Sequence, residues 1–390
     1  MSAETKPGGG RHVMIVAGEA SGDMHGAGLV RALHRLDPNL RFSGMGGREL
    51  RAAGVEILVD AAGMAVVGAV EVLSHLGEIL RARRSLIARL HSDRPDLLIL
   101  IDYPDFNLLL AKQAKKLGIP VLYYISPQIW AWRKSRVHKI ARLTDRVAVI
   151  LPFEQAFYAT SGYQVDFVGH PLLDSVRPQM SPAEFRQSLG IEADRSLVGL
   201  LPGSRRKEIA ALLPDFLAAA ALMAERHPNF TFLLPLAPTI DRSLLDSHGL
   251  AAYQKRLDIR VVSEDRYTMM TACDAAVAAS GTVLLELAIL GVPCVATYRV
   301  SPLTYILGRL LIRGIRFFSL VNLIAEREII PELLQDAVTP ERIAQELQPL
   351  LHQSPARNAM RQGFSEVCQR LGGPGASQRA AQVALQLLPQ

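Results

Sequence analysis

The sequence predicts an α/β fold of two doubly wound, Rossmann-like domains, and three observations support this class. Short apolar runs alternate with helical patterns along most of the chain, as in parallel sheets covered by helices on both faces. The alternation stops in a polar, proline-containing stretch at residues 170–182 and then restarts. A length of 390 residues with 49% hydrophobic residues suits two domains with sizeable cores. We therefore expect two such domains facing a central cleft.

The predicted strands are short apolar runs without helical spacing. In the first half they are His12–Ala17, Arg41–Met45, Leu97–Ile101, Val121–Ile125, Arg146–Ile150 and Asp166–Val168. In the second half they are Leu197–Leu201, Thr231–Leu234, Ile259–Val262, Ala275–Ala279 and Cys294–Thr297. Beyond Pro340 only helical spacing continues. We expect a flexible tail at 1–10, domains at 11–175 and 176–365, and terminal helices at 366–390 that pack back on the first domain.

Charge and cysteine content limit the class of protein. Lys and Arg exceed Asp and Glu by 43 to 37, and the sequence pI is near 9.3, so anionic partners are favoured: phosphorylated ligands, acidic lipids or nucleic acid. The three cysteines lie far apart, which fits a reducing cytoplasm better than a disulfide or zinc framework. The most membrane-like window, residues 275–298, is broken by turn residues and predicts strand, helix, strand. We expect neither a signal peptide nor a membrane span.

Several catalytic classes lack their motifs. The ten histidines form no HExxH pair, and the sequence has no GxSxG elbow, P-loop or Asp-x-Asp pair. Zinc hydrolysis, serine hydrolysis and P-loop phosphoryl transfer are therefore disfavoured. We expect no metal and no cofactor.

The loop after the first predicted strand has the composition of a ligand loop. It contains Gly18, Glu19, Ser21, Gly22 and Asp23 and leads into a helix. Glycines allow close backbone approach, and a helix N-terminus offers amide donors to an anion or a sugar hydroxyl. The alternative is a glycine-rich turn needed only for strand–helix packing. The glycine spacing is not that of the dinucleotide fingerprint.

A carboxylate follows the most apolar strand. Asp102 comes directly after Leu97–Ile101, where a partly desolvated carboxylate can have a raised pKa and accept a proton from an attacking hydroxyl. Asp105, after Pro104, is interpreted as a helix cap or as a residue that supports the site without contacting the substrate.

Both tryptophans of the chain follow the next strand. Trp130 and Trp132, with Ser126 and Gln128, suit contacts with a sugar or an acyl chain. An ordinary core cluster is the alternative, and the sequence leaves the two open.

The second half repeats the arrangement of strand, turn and helix twice. Gly203, Ser204 and Arg205 provide a small turn and a guanidinium, as a diphosphate requires. Positive charge at a helix N-terminus opposes the helix dipole, which argues for an anionic ligand there. Further on, Ser280, Gly281 and Thr282 offer a second phosphate contact at a helix start. Arg299 is another candidate for the charge of a departing diphosphate.

Glu286 lies one turn after Thr282 on the same helix face. A carboxylate there can accept hydrogen bonds from both hydroxyls of a ribose. An unpaired buried glutamate in so apolar a helix would be costly, which favours the functional interpretation.

Seven motifs in order resemble the lipid-A-disaccharide synthase family. They are AGEASGD (17–23), IDYPDFN (101–107), SPQIWAWR (126–133), LPFE (151–154), GHPLLD (169–174), LPGSR (201–205) and ASGTVLLE (279–286). The resemblance implies a GT-B glycosyltransferase that inverts and uses no metal. It would join UDP-2,3-diacylglucosamine to 2,3-diacylglucosamine 1-phosphate, forming a β-1,6-linked disaccharide 1-phosphate and UDP.

The resemblance also implies roles for individual residues. Asp102 matches the general base, Arg205 the diphosphate arginine, and residues 280–282 with Glu286 the UDP site. Asn322 matches a position near the nucleotide, and Tyr298 is also expected to bind UDP. The family further implies a homodimer with exchanged C-terminal segments.

The family implies peripheral attachment to the inner face of the cytoplasmic membrane, because both substrates are lipids. An apolar segment precedes three arginines at 81–84, and its residues are Met64, Val66, Val67, Val70 and Leu73. It would serve as an acyl-chain groove beside anionic headgroups. An ordinary buried helix is the alternative.

Two other functions remain open on the sequence alone. A UDP-sugar 2-epimerase would share the two-domain architecture but would need no acyl groove. The short basic clusters at 133–136 and 205–207 would also fit a module that binds nucleic acid or an anionic membrane, although no RNA-binding signature accompanies them.

Overall fold

A computed structural model of the chain describes residues 10–61, 76–132, 134–227, 229–237, 240–302, 304–306 and 316–389. The chain divides into two compact units. The first unit contains Met1–Asp174 together with Leu371–Gln390, and the second contains Ser175–Arg370. The end of the chain therefore returns to the first unit. Residues 366–370, expected among the terminal helices, complete a helix of the second unit.

The first unit contains a parallel sheet, which has seven strands within the described residues. The strands are β1 His12–Ala17, β2 Arg41–Gly46, β3 Glu56–Asp60, β4 Leu97–Ile101, β5 Val121–Tyr124, β6 Arg146–Val149 and β7 Asp166–Phe167. Their order is β3-β2-β1-β4-β5-β6-β7. The connecting helices are α1 Ala20–Leu36, α2 Arg48–Ala52, α3 Leu76–Ser92, α4 Pro104–Lys116, α5 Ile129–Trp132, α6 Arg136–Leu143, α7 Pro152–Ala159 and α8 Leu172–Ser175.

The second unit repeats the plan with a parallel sheet of six described strands, in the order β10-β9-β8-β11-β12-β13. The strands are β8 Ser196–Leu201, β9 Phe230–Pro235, β10 Ile259–Val262, β11 Ala275–Ala279, β12 Cys294–Tyr298 and β13 Glu332–Leu334. The helices are α9 Pro182–Ser188, α10 Arg206–Arg226, α11 Arg242–Ser247, α12 Leu250–Gln254, α13 Arg266–Ala272, α14 Thr282–Leu290, α15 Leu320–Ala325, a 3-10 turn at Gln335–Ala337, α16 Pro340–Leu351 and α17 Pro355–Arg370.

A last helix, α18 Ala376–Leu385, packs on α1 of the first unit. The Asp174 carboxylate holds its start by accepting hydrogen bonds from the amides of Gly375 (2.6 Å) and Ser377 (3.2 Å). Arg379 donates from Nε to the carbonyl of Val168 at 2.8 Å. The helix is therefore fixed to its unit by buried packing and by backbone hydrogen bonds at its N-terminal end.

The eleven strands predicted from apolar runs are all present, with ends that differ by at most one residue. Two further strands, β3 and β13, were missed. Both lie at sheet edges, and their residues are mostly half-exposed. Edge strands are covered on fewer sides, so they lack the continuous apolar run that marks a central strand.

The apolar window at residues 275–298 is strand, helix and strand, as predicted. In the part of the chain that the structure describes, no helix is both long and apolar enough to cross a membrane.

Candidate functional site

In each sheet the strand order reverses at one point. It reverses between β1 and β4 in the first unit and between β8 and β11 in the second. The strands at each reversal are hydrogen-bonded neighbours, with Ala17 beside Ile101 and Ala278 beside Leu201. Ligands of doubly wound sheets bind outside the carboxyl ends of the strands at such a point. Four of the loops predicted to bind ligands follow these four strands.

The backbone after β4 is strained. Asp102 has φ 45° and Tyr103 has φ 43°, both in the left-handed region that non-glycine residues rarely enter. Each such residue costs on the order of 1–3 kcal/mol, and such strain clusters at functional sites. At the end of the neighbouring strand, Ile125 also has a positive φ of 60°, which is unusual for a β-branched residue.

Buried groups hold the strained turn in place. The carbonyl oxygen of Asp102 accepts hydrogen bonds from Nδ2 of Asn107 at 2.7 Å and from the hydroxyl of Tyr123 at 2.5 Å. Both donors belong to fully buried residues. The Asp102 amide donates to the carbonyl of Ile125 at 3.3 Å. The position of the Asp102 carboxyl group is therefore fixed by its own backbone.

The environment makes Asp102 a stronger base than an ordinary aspartate. Burial, and to a smaller extent the negative charge of Glu19, raise its pKa to about 6. At neutral pH the group is mostly ionised and has the basicity that general base catalysis needs. Its partner in this effect, Glu19, is half-buried at the N-terminus of α1.

The loops after β1 and β4 touch each other. A Cβ atom at Gly18 would lie 2.5 Å from the ring of Tyr103, so only glycine fits there. Gly22 lies against Ala17 and Ile101, while Ser21 is exposed. The predicted loop is thus partly a packing element, and Glu19 and Ser21 are the polar side chains of this loop that face outward.

Asp23, which the sequence predicts to bind a ligand, has structural partners in the neighbouring helix. Its buried carboxylate accepts hydrogen bonds from the amides of Gly47 (2.6 Å), Glu49 (2.9 Å) and Leu50 (3.2 Å). These amides belong to the first turn of α2, which otherwise would lack partners. Asp23 therefore caps a neighbouring helix.

Asp105 does not cap α4 as expected. The N-cap position of α4 is occupied by Tyr103, whose side chain makes no capping hydrogen bond. Asp105 lies in the first turn and pairs with Arg136 of α6 at 2.5 Å. The ion pair joins α4 to α6.

The tryptophan segment divides into core and surface residues. Ser126 is buried and its Oγ lies 2.6 Å from the hydroxyl of Tyr158, which makes it structural. Gln128 is exposed, and Trp130 is half-buried with its ring edge-on to Phe153 at 4.9 Å. The indole nitrogen of Trp130 has no hydrogen-bond partner among the described residues, so it is a candidate donor to a ligand. The side chain of Trp132 lies outside the described residues.

In the second unit, the carboxylate of Glu208 accepts hydrogen bonds from the backbone amides of the turn after β8. Its Oε2 accepts hydrogen bonds from the amides of Ser204 (3.1 Å) and Arg205 (3.3 Å), and its Oε1 lies 3.3 Å from Nη1 of Arg205. Gly203 has φ 108°, and a Cβ there would lie 2.2 Å from this carboxylate. In this structure the amides of Ser204 and Arg205 therefore donate to Glu208, and the predicted contact of this turn with a diphosphate stays a prediction. The Arg205 side chain is 56% exposed, so its guanidinium remains accessible.

The turn after β11 is open. The Ser280 amide donates to the carbonyl of Thr297 at 2.7 Å, which anchors the turn to β12. Gly281 and Thr282 are exposed at the start of α14, and a Cβ at Gly281 would meet no atom within 4 Å.

Tyr298 ends β12, and its ring lies 5.8 Å from that of Phe318. Burial and, to a smaller extent, the charge of Glu208 raise the pKa of Tyr298.

Two predicted nucleotide residues have structural partners. Arg299 pairs with Asp215 and donates to the carbonyls of Ala211 and Val338, so its guanidinium ties β12 to the helices beside it. Asn322 is wholly buried; its Nδ2 donates to Glu332 at 2.9 Å and its Oδ1 accepts from the amide of Ile329 at 2.7 Å. Asn322 therefore shapes the loop that leads to β13.

Glu286 is buried, as predicted, but it is not unpaired. Oε1 accepts hydrogen bonds from Nη2 of Arg266 at 2.8 Å and from the hydroxyl of Tyr267 at 3.3 Å. Arg266 and Tyr267 begin α13 and were missed in the sequence, where a single Arg–Tyr pair gives no signal of its partner. Tyr103 and Asn107 were missed as well, although both lie within the motif at 101–107.

Two expectations have no structural test. The apolar residues Met64, Val66, Val67, Val70 and Leu73 lie outside the described residues. The homodimer with exchanged C-terminal segments stays a prediction.

Comparison with known proteins decides the family. The sequence model of one family, lipid-A-disaccharide synthetase, matches residues 13–387. The lipid-A-disaccharide synthase of Geobacter metallireducens is 50% identical over 378 residues, which is 97% of this chain and 97% of the relative. The chain belongs to the lipid-A-disaccharide synthase family. The predicted enzyme class is thereby confirmed: it is a glycosyltransferase that synthesises the lipid A disaccharide.

Solved structures support the fold of this synthase. MurG of Acinetobacter baumannii matches with a TM-score of 0.59 at 18% identity, covering 96% of this chain and 99% of that one. A UDP-GlcNAc 2-epimerase of Neisseria meningitidis matches with a TM-score of 0.65 at 12% identity, covering 96% and 100%. At such identities the likeness concerns the fold alone. The predicted GT-B fold is confirmed, and the epimerase alternative shares only that architecture.

The structural role of Asp23 gives a testable prediction. Replacing Asp23 with Ala leaves three amides of α2 without their acceptor, and we expect the free energy of unfolding to fall by about 2–3 kcal/mol. Hydrogen exchange of peptides covering residues 46–52 should become faster. The control is Ser21→Ala, at an exposed position of the same loop. Unchanged stability and exchange in Asp23→Ala, combined with weaker acceptor binding, would return Asp23 to the ligand site.

Proposed function

We propose that the chain transfers the sugar of UDP-2,3-diacylglucosamine to the primary hydroxyl of 2,3-diacylglucosamine 1-phosphate, with Asp102 as the general base. The observation that carries this proposal is the strained, locked turn that presents Asp102 at the strand reversal of the first sheet, with a pKa near 6. A carboxylate of ordinary pKa would be a weaker acceptor for a proton from an alcohol.

The reaction is a single displacement. The Asp102 carboxylate accepts the proton as the acceptor oxygen bonds to the anomeric carbon of the donor. The bond from that carbon to the diphosphate oxygen breaks, and UDP leaves with the electron pair. The transition state has oxocarbenium character, and attack opposite the leaving group inverts the configuration from α to β. A group held in place before the reaction lowers the barrier because it need not be reoriented.

The second unit holds the donor. The exposed guanidinium of Arg205 can bind diphosphate oxygens with two donors, and the open turn at 280–282 adds the N-terminus of α14. Together they stabilise the negative charge that develops on UDP as it leaves. Glu286 accepts hydrogen bonds from the ribose hydroxyls.

The raised pKa of Asp102 predicts the pH dependence of catalysis. Asp102 acts as a base only when deprotonated, so kcat/KM should fall as the pH drops through about 6. Glu19→Gln removes a negative charge that raises this pKa, so the acid limb should move to lower pH. Asp102→Asn should lower kcat about 10²–10⁴-fold with little change in the KM for the donor.

Initial rates from pH 5 to 8, with Arg342→Met of the second unit as the control, would test these expectations. Near-normal turnover of Asp102→Asn, or an acid limb that stays in place in Glu19→Gln, would contradict the assignment of the base.

We also propose that the enzyme attaches to an anionic membrane through the outer helices of the first unit. The helices α4 and α6 connect consecutive neighbouring strands, so right-handed crossovers place them on one face of the sheet. They pack on each other, and α3 packs on α4. Residues 104–144 contain eight Lys or Arg residues and one acidic residue, Asp105.

We define the basic layer as six exposed cations of these helices together with one exposed leucine. Its members are Arg81 and Arg84 of α3, Leu109, Lys112 and Lys116 of α4, and Lys139 and Arg142 of α6. Among the described residues none of these six cations has an ion-pair partner. Each basic side chain near an anionic membrane contributes about 1 kcal/mol of attraction. The exposed leucine adds an apolar contact.

Vesicle sedimentation tests the basic layer. The wild-type chain should bind phosphatidylcholine vesicles that contain phosphatidylglycerol, and salt should weaken this binding. The triple variant Lys112→Glu, Lys116→Glu, Lys139→Glu should bind at least about tenfold more weakly. The matched control changes Lys255, Arg256 and Arg342, exposed cations of the second unit, to Glu.

Turnover of detergent-dispersed substrates should be the same in both triple variants. Equal sedimentation of the two would contradict the proposed surface. RNA binding that only the first triple variant loses would instead favour the nucleic-acid alternative.

A further inference from the structure

We propose that Arg266 is a positioning residue for the donor: it orients the Glu286 carboxylate so that Oε2 accepts hydrogen bonds from the ribose hydroxyls of a uridine nucleotide. This inference rests on the proposed function, which assigns the ribose contact to Glu286. It adds a residue that no sequence motif of the chain indicates.

The contacts of Glu286 are one-sided. Nη2 of Arg266 donates to Oε1 at 2.8 Å, and the hydroxyl of Tyr267 lies 3.3 Å from the same oxygen. Nη2 of Arg266 also lies 2.8 Å from the Tyr267 hydroxyl, which closes a triangle of three groups. Among the described residues Oε2 has no partner. One oxygen is therefore fixed by the protein, and the other remains for a ligand.

The position of Glu286 on α14 supports a ligand for Oε2. Glu286 lies four residues after Thr282, so both side chains share one face of the helix. Thr282 is exposed at the open turn, whereas Glu286 is only 3% exposed. A ligand that reaches from the helix N-terminus along this face meets the carboxylate next.

The backbone before Arg266 is strained. Asp265 has φ 44°, in the left-handed region, and its Oδ1 accepts a hydrogen bond from the amide of Thr268 at 3.1 Å. Its Oδ2 is buried without a partner in the described part of the chain. This turn costs on the order of 1–3 kcal/mol and starts α13 with Arg266 as its first residue. This strained turn places Arg266 at the start of α13, where its guanidinium contacts Glu286.

The local energetics oppose an arginine at this place. A cation at a helix N-terminus faces the positive end of the helix dipole. The guanidinium carbon lies 4.8 Å from the centre of the Tyr267 ring, a cation–π contact that offsets part of this cost. The remaining compensation is the buried carboxylate of Glu286, so Arg266 and Glu286 depend on each other.

Charge links the pair to binding. Burial raises the pKa of Glu286, while Arg266 and Tyr267 lower it. Without the Arg266 guanidinium, only the Tyr267 hydroxyl opposes the effect of burial on Glu286. The pKa of Glu286 then rises further, and its carboxyl group becomes protonated at a higher pH. Two other helices pack on α14. Helix α17 brings Cys368 near the carbonyl of Ala288 and Arg361 near Gly291, at the C-terminal end of α14, whereas α15 carries no ionisable side chain. Of these cations, only Arg266 lowers the pKa of Glu286. Arg266 is therefore the cation that keeps Glu286 able to accept two hydrogen bonds.

The test compares the binding of UDP and 2′-deoxy-UDP to the full chain by calorimetry from pH 6 to 9. The wild type should prefer UDP. Arg266→Met should weaken UDP binding about tenfold near pH 7 and move the ratio of the two affinities toward one, with a loss that grows as the pH falls. Arg266→Lys should restore part of the preference. The control is Arg342→Met, at an equally exposed arginine of the second unit that pairs with Glu346.

Glu286→Gln, measured in parallel, separates the two proposals. Suppose that Glu286→Gln loses the preference for UDP over 2′-deoxy-UDP while Arg266→Met keeps it at every pH. This result would overturn the role of Arg266 and leave the ribose contact of Glu286 intact. An unchanged preference in Glu286→Gln would overturn the ribose contact of the proposed function, and the role of Arg266 with it. If Arg266→Met fails to fold, Arg266→Lys carries the comparison, and a preference equal to the wild type at every pH would overturn the role.

Discussion

The left-handed turn at Asp102 and Tyr103 is the constraint on which the first half of the site depends. Pro104 follows it and begins α4, and a residue before proline is disfavoured in the right-handed helical region. The chain therefore leaves β4 by an unusual route. The hydrogen bonds from Asn107 and Tyr123 contribute roughly 1 kcal/mol each, comparable with the cost of the strained residues. The surrounding buried core supplies the rest.

The consequences of this turn reach both neighbouring strands. The ring of Tyr103 lies over the backbone of Gly18, so the loop after β1 must be small at that point. The Tyr123 hydroxyl ties the end of β5 to the same turn. As a result, the loops after three adjacent strands are positioned by one set of buried contacts. This explains how a carboxylate on a loop can have a fixed position.

In the second unit, arginine–glutamate ion pairs position the charged groups of the site. Two arginines, Arg205 and Arg266, stand at helix N-termini, where the helix dipole opposes a cation. Each is paired with a glutamate, Glu208 or Glu286. The pairing keeps positive charge at the carboxyl edge of the sheet without an anion from outside. In the proposed function, a nucleotide diphosphate binds the exposed guanidinium of Arg205 and its ribose binds the oriented carboxylate of Glu286.

The sequence predicted the elements and loops well, but it predicted individual side-chain roles less well. Continuous apolar runs mark central strands because burial on both faces requires them, whereas the edge strands β3 and β13 have no such requirement. Asp23, Arg299 and Asn322 are polar residues in site loops, and their type indicates that they need partners. It does not indicate that the partners are amides and carbonyls of distant segments. The pairing of Glu286 with Arg266, twenty residues earlier, was hidden for the same reason.

The most direct test of the account removes one hydroxyl. Tyr123→Phe keeps the buried ring and deletes one of the two hydrogen bonds that hold the carbonyl of Asp102. Product formation is followed by mass spectrometry with UDP-2,3-diacylglucosamine, 2,3-diacylglucosamine 1-phosphate and EDTA in detergent micelles. We expect a tetraacyl disaccharide phosphate and UDP from the wild type, and from the variant about tenfold lower kcat with unchanged KM for the donor. Equal turnover in wild type and variant would contradict the claim that the locked turn positions the catalytic base.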